Sequence, residues 1–112
     1  IIKTGMGVFL ERDEYWNANP GFAPELAGFF KDKMSNLRIF GFDTISLTGR
    51  KFRKLGKKSH KAFLLENDIL ILEDMDLNPL LDNSIIKEII VSPIRFDGMD
   101  GAPVTVIAKV NG

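Results

Sequence analysis

β-forming residues fill positions 1–10, a helical apolar pattern follows Pro24, and a second β-rich run covers positions 37–42. A strand, a helix and another strand within about 42 residues is the signature of a βαβ-type unit, which commits the chain to a mixed α and β architecture. Gly5 and Gly7 interrupt the first run, so a kinked strand is expected there. Residues 17–23, with Pro20-Gly21, carry turn chemistry, and Pro24 suits a first helical turn, where its missing N–H has no partner to lose. Leu26, Phe29, Phe30 and Met34 recur at spacings of three and four, predicting one apolar helix face that ends near Ser35-Asn36.

The sequence then changes character. Seven of the 15 basic residues fall within positions 50–61, and a solvated loop or mobile flap is expected over 48–61. Ser59 is placed to cap a short helix over 60–66. Strands are expected at 69–72, 85–91 (continuing extended through 93–96) and 103–110, with turns at Asp97-Gly98 and Asp100-Gly101. The sum is about five strands and two helices, and 112 residues suffice for one core, giving a single domain over 1–112.

Fifteen basic residues balance 15 acidic ones, so a cationic nucleic-acid coat is excluded. With no cysteine, thiolate zinc sites and cysteine nucleophiles are excluded by inventory, and a reducing, cytoplasmic setting is the default expectation. No apolar run reaches the roughly 18–20 residues that cross a bilayer, and the first residues lack a secretory pattern, so no membrane partner is expected. The chain opens on Ile1-Ile2, already inside β-rich sequence, which reads as a fragment of a longer protein. No Gly-x-Gly-x-x-Gly, Walker or Gly-x-Ser-x-Gly motif is present.

His60 is the only histidine, so no His-x-x-x-His zinc motif can be completed within the chain. Its possible partner is Glu73. A helix of about eight residues rises roughly 12 Å, and five strand residues run back roughly 16 Å, which returns the two side chains to one level. Glu73 ends the run Ile69-Leu70-Ile71-Leu72, and a carboxylate there either turns to a cation, a metal or a set of donors, or leads into a surface turn with Asp74 and Asp76. For His60 the competing reading is a solvent-facing helix residue. Asp43, at the end of the 37–42 strand with Thr44 and Ser46 beside it, either holds a ligand or organises the turn. The basic segment either tracks polyanion with Phe52 available for stacking, or is a hydrated loop neutralised by the six carboxylates between Glu66 and Asp82.

Taken in order, several pieces resemble the carboxyl-terminal half of the cyclase family of metal-dependent hydrolases, typified by kynurenine formamidases. They are Ile2-Lys3-Thr4-Gly5 with Tyr15 and Pro20-Gly21, then Gly41-Phe42-Asp43-Thr44-Ile45-Ser46, His60 with Leu64-Leu65, Ile71-Leu72-Glu73, and Asp100-Gly101-Ala102-Pro103-Val104. The resemblance implies part of a swivelling β/β/α fold and a zinc or manganese cofactor. It implies that Glu73 contributes to the metal site, that His60 lines it as a proton donor, acceptor or orienting group, and that Asp43 and Ser46 stand near the substrate pocket.

The implied reaction is attack of metal-activated water on an amide-like or cyclic carbonyl of a small-molecule substrate. The family's upstream His-x-Gly-Thr-His-x-Asp-x-Pro motif is not in this sequence, so the fragment by itself is expected to be inactive. Thr105 stands where the family commonly has arginine, and the basic segment is particular to this chain. A half-fold also exposes strand edges, so a homo-oligomer is expected. The alternative is a non-catalytic binding or assembly module taking polyanions through residues 50–61, with nucleic acid the less favoured partner.

Overall fold

Parallel pairing organises the first part of the chain. In the computed structural model, which describes residues 1–111, strand β1 (Ile39–Gly41) lies parallel to β2 (Leu70–Leu72), with Phe40 opposite Ile71. Ile2 adds a single parallel bridge at Phe42, and its N–H donates to the Gly41 carbonyl at 2.8 Å. The expected kinked strand over 1–10 is reduced to that bridge. Gly5 takes a left-handed conformation at φ +86° and the chain enters a 3-10 turn over Met6–Phe9. The physical reason is that the Thr4 and Gly5 N–H groups are drawn onto the Asp43 carboxylate, so they are not available to extend a ladder.

Three α-helices and four strands are present among the described residues, where two helices and about five strands were expected. The mixed α and β class holds. Helix α1 (Asp13–Asn17) is the addition, a short element with Asp13 and Glu14 at its positive end. Helix α2 (Glu25–Lys33) starts after Pro24 as expected. It buries Ala27 and Phe30 and leaves Phe29 exposed, so the packed face is rotated from the predicted one toward the small residue.

The largest correction concerns residues 48–61. Rather than a solvated loop, a 3-10 turn at Arg50–Phe52 runs into helix α3 (Arg53–Lys61), and a wide π-helical turn over Ala62–Glu66 continues it. The buried face of this helix is made of Gly56, Ser59, Ala62 and Phe63, mostly small residues that leave little apolar periodicity in the sequence. Ser59 therefore lies inside the helix instead of capping one, and its hydroxyl donates to the Phe22 carbonyl at 2.8 Å.

Aromatic packing joins these elements. Phe40 stacks on Phe63 with centroids 5.5 Å apart and meets Phe30 and Phe22 edge-on at 5.1 and 5.0 Å. Such pairs contribute roughly 0.5–1.5 kcal/mol each beyond the area they bury. Ala27, Leu47 and Ile69 complete the core between α2, β1 and the α3 segment.

The chain divides into two compact units, the first Ile1–Pro79 and the second from Leu80 onward. The second is an antiparallel hairpin of β3 (Ile86–Pro93) and β4 (Val104–Val110), with Ile90 opposite Ile107 and Val91 opposite Val106. Its strands match the expected 85–91 and 103–110 runs, with β3 carried on through Pro93. No helix among the described residues is long and apolar enough to cross a membrane.

Candidate functional site

Because β1 and β2 are parallel, the segments that follow them leave the sheet on the same edge, the position where α/β sheets gather ligands. There Asp43–Thr48 from one strand meets Glu73 and Asp74 from the other. The Asp74 N–H donates to the Thr44 carbonyl at 2.8 Å, and the Met75 N–H to the Phe42 carbonyl at 3.1 Å. Glu73 turns into this junction. Its Oε1 accepts the Leu47 N–H at 2.8 Å and the Ser46 hydroxyl at 3.0 Å. Only 34% of its side chain remains exposed, which separates it from a carboxylate in a surface turn.

Helix α3 brings His60 to the same place, with Nε2 3.5 Å from Glu73 Oε1. The other ring nitrogen, Nδ1, lies 2.8 Å from the Gly56 carbonyl one helical turn earlier. A carbonyl only accepts, so Nδ1 carries the proton and, in the neutral ring, Nε2 presents a bare lone pair. Two acceptors then face each other across 3.5 Å. That arrangement is attractive only when a second proton or a cation stands between them.

The loop is held by a buried carboxylate that does not itself face the opening. Asp43 is 1% exposed; its Oδ1 accepts both the N–H and hydroxyl of Thr4 at 2.7 Å, and its Oδ2 accepts the Gly5 N–H at 3.0 Å. Burial opposes its ionisation, but the donors of Thr4 and Gly5 and its own N–H together outweigh that and hold the carboxyl below its ordinary range. Asp43 thus secures the turn and is not among the residues lining the neighbouring cleft, whereas Ser46 and His60 are.

Sequence reasoning gave no site role to Tyr15 and Asp74. The Tyr15 hydroxyl donates to Asp74 Oδ1, and Asp74 sits at φ +56°, a left-handed conformation that the bond helps to hold. Burial first, then the hydrogen bond and charge of Asp74 and the charge of Asp43, push the Tyr15 phenol up. No local sequence signal marks this pair, which is 59 residues apart.

Beside the His60–Glu73 pair opens a cleft of about 980 Å³, lined by Ser46, His60, Trp16, Arg53, Lys57 and Leu64 among others. Helix α3 lends one face to this lining because Arg53, Lys57 and His60 recur at spacings of four and three, and Leu64 of the π-helical turn follows four residues later. Gly56 is what lets the helix approach the 43–48 loop: a Cβ there would collide with the Thr48 hydroxyl.

His60 Nε2 and Glu73 are a nitrogen and a carboxylate of the kind that bind zinc or manganese. Among the described residues no group of three or more His, Cys, Asp or Glu side chains is placed to hold an ion. No protein-family model, curated protein or solved structure matches the chain.

Proposed function

We propose that this chain carries part of the centre of a cyclase-type metal-dependent hydrolase, built on a portion of the swivelling β/β/α fold and acting on an amide-like or cyclic carbonyl. The observation that supports the reading is the pair of facing acceptors, His60 Nε2 and Glu73 Oε1, at the shared end of two parallel strands and beside a cleft. Zinc or manganese is the proposed cofactor, held in part by Glu73, with His60 Nε2 beside it as the proton-moving group. The chemistry a bound divalent ion supplies is acidification of water and polarisation of a carbonyl.

The chain's own residues prepare the rest. Leu47 N–H and the Ser46 hydroxyl fix the Glu73 carboxylate, so its orientation does not depend on the ligand. The Gly56 carbonyl fixes the imidazole tautomer, leaving Nε2 as the atom that takes or releases a proton at the cleft wall. The second reading, a polyanion-binding module, draws on the basic lining of the same cleft.

Titrating the chain with Zn²⁺ while following the His60 imidazole by NMR tests the proposal. A saturable shift at Nε2 is expected, and Glu73→Gln should weaken uptake by about 10–100-fold while the amide spectrum of the core is retained. A His60 signal indifferent to the metal, or equal affinity in the variant, overturns it.

A further inference from the structure

We infer that the cleft beside His60 binds a small organic dianion with a flat apolar body, of the phosphate monoester or dicarboxylate class. The inference deepens the hydrolase reading by naming the charge and shape of what enters the site.

The lining charge is of one sign. Arg50, Arg53, Lys54, Lys57 and Lys61 face the cleft, and no aspartate or glutamate does. Lys61 has Glu66 at 3.4 Å, whereas Arg50, Arg53, Lys54 and Lys57 have no carboxylate within 4.0 Å among the described residues. Four uncompensated cations around one concavity repel each other and focus a positive potential into it, and a doubly charged ligand offsets this better than a single carboxylate.

The position of two of these cations on the helix adds to this. Arg53 and Lys54 open α3, whose first turn contains no acidic residue, so cations stand at the positive end of the helix dipole. That placement destabilises a free helix and favours an anion at its N-terminal end. Proteins break such local rules chiefly at functional or strained sites, and no carboxylate ion-pairs with Arg53 or Lys54 among the described residues.

The walls give the ligand's other half. Trp16 is 40% exposed and Leu64, which also lines the cleft, is likewise exposed, giving apolar surface suited to a planar apolar group. Arg50 lies over the indole, 5.7 Å from its centroid, which joins the aromatic wall to the charged one. At about 980 Å³ the cleft has the size of a small-molecule site. Lys51 and Lys58, from the same basic run, do not line it, so the cations converge on one concavity instead of tracking a strand.

The test uses the intact chain with 2-naphthyl phosphate, naphthalene-2,3-dicarboxylate, 2-naphthylmethanol and single-stranded oligouridylate, with affinities from calorimetry. The indole N–H of Trp16, the only tryptophan, reports the position. At least one dianion is expected to bind and shift that signal, with the neutral alcohol weaker by about tenfold or more; the tighter dianion identifies the anion class. Arg53→Ala and Lys57→Ala should each weaken it about tenfold, the loss of one charge-assisted contact. Equal binding of the alcohol, no response at Trp16, or indifference to both substitutions overturns the inference. So does an oligouridylate that outcompetes both dianions and depends equally on Lys51 and Lys58. Zinc is titrated separately into the same chain: dianion binding at Trp16 with no metal uptake at His60 removes the hydrolase reading alone.

Discussion

The Leu47 N–H donates to Glu73 Oε1 at 2.8 Å, tying the residue that ends β2 to the loop that follows β1. One carboxylate therefore closes the sheet edge and faces His60, and its two duties can be separated by substitution.

Glu73→Leu removes the acceptor for both Leu47 N–H and the Ser46 hydroxyl and should lower stability by about 1–3 kcal/mol. Glu73→Gln keeps a carbonyl oxygen for those donors and should lower it by less than about 1 kcal/mol. Urea unfolding of the two variants checks the difference; equal losses would mean that the hydrogen bonds contribute nothing.

Asp43→Ala leaves the Thr4 and Gly5 donors without their acceptor and should destabilise by about 2–4 kcal/mol. The folded carboxyl lies below its ordinary value, so its contribution is complete above the unfolded value near 3.9 and is lost as pH falls through the lower folded value. Unfolding midpoints between pH 2 and 7 should show an acid limb in the wild type that flattens in Asp43→Asn.

Two glycines in helices should respond with opposite signs. Gly28→Ala in α2 meets no atom within 4 Å and should stabilise by about 0.5–1 kcal/mol through helix propensity. Gly56→Ala in α3 forces Thr48 away and should destabilise by about 1–3 kcal/mol despite the same propensity gain. Thermal melts of the two variants decide it, and His60 shifts in Gly56→Ala would report movement of its carbonyl anchor.

Tyr15 is the only tyrosine, so absorbance at the phenolate band reads it directly. Its pKa is raised in the fold, so above the unfolded value near 10 the unfolded chain releases a proton that the folded chain keeps, and stability falls as pH rises from there. Phenolate should therefore appear together with unfolding; ionisation near pH 10 in a chain still folded would contradict the Tyr15–Asp74 contact. Tyr15→Phe should lower stability at neutral pH by about 1–3 kcal/mol.

Helix α2 was readable from apolar residues at spacings of three and four, and β2 and the β3–β4 strands from short runs dense in β-forming residues bounded by turn or polar residues. Helix α3 was not readable: its packed face is Gly56 and Ser59, whose value lies in close approach and one hydrogen bond to Phe22. Of the four site residues read from the sequence, His60, Glu73 and Ser46 come together, while Asp43 is taken up by Thr4 and Gly5 nearly forty positions away.

What the sequence determined by itself is the inventory: one histidine, no cysteine, a glutamate closing an apolar run, and a dense basic segment. Those limit the available chemistry whatever the fold. Tertiary structure alone decided that the basic segment is a helix lining a cleft, that Nε2 is the nitrogen His60 turns to Glu73, and that Asp43 holds a turn. Each of those outcomes depends on a donor or a space contributed by a residue elsewhere along the chain or one turn away. Such pairings are set by packing between elements, which composition and periodicity do not encode.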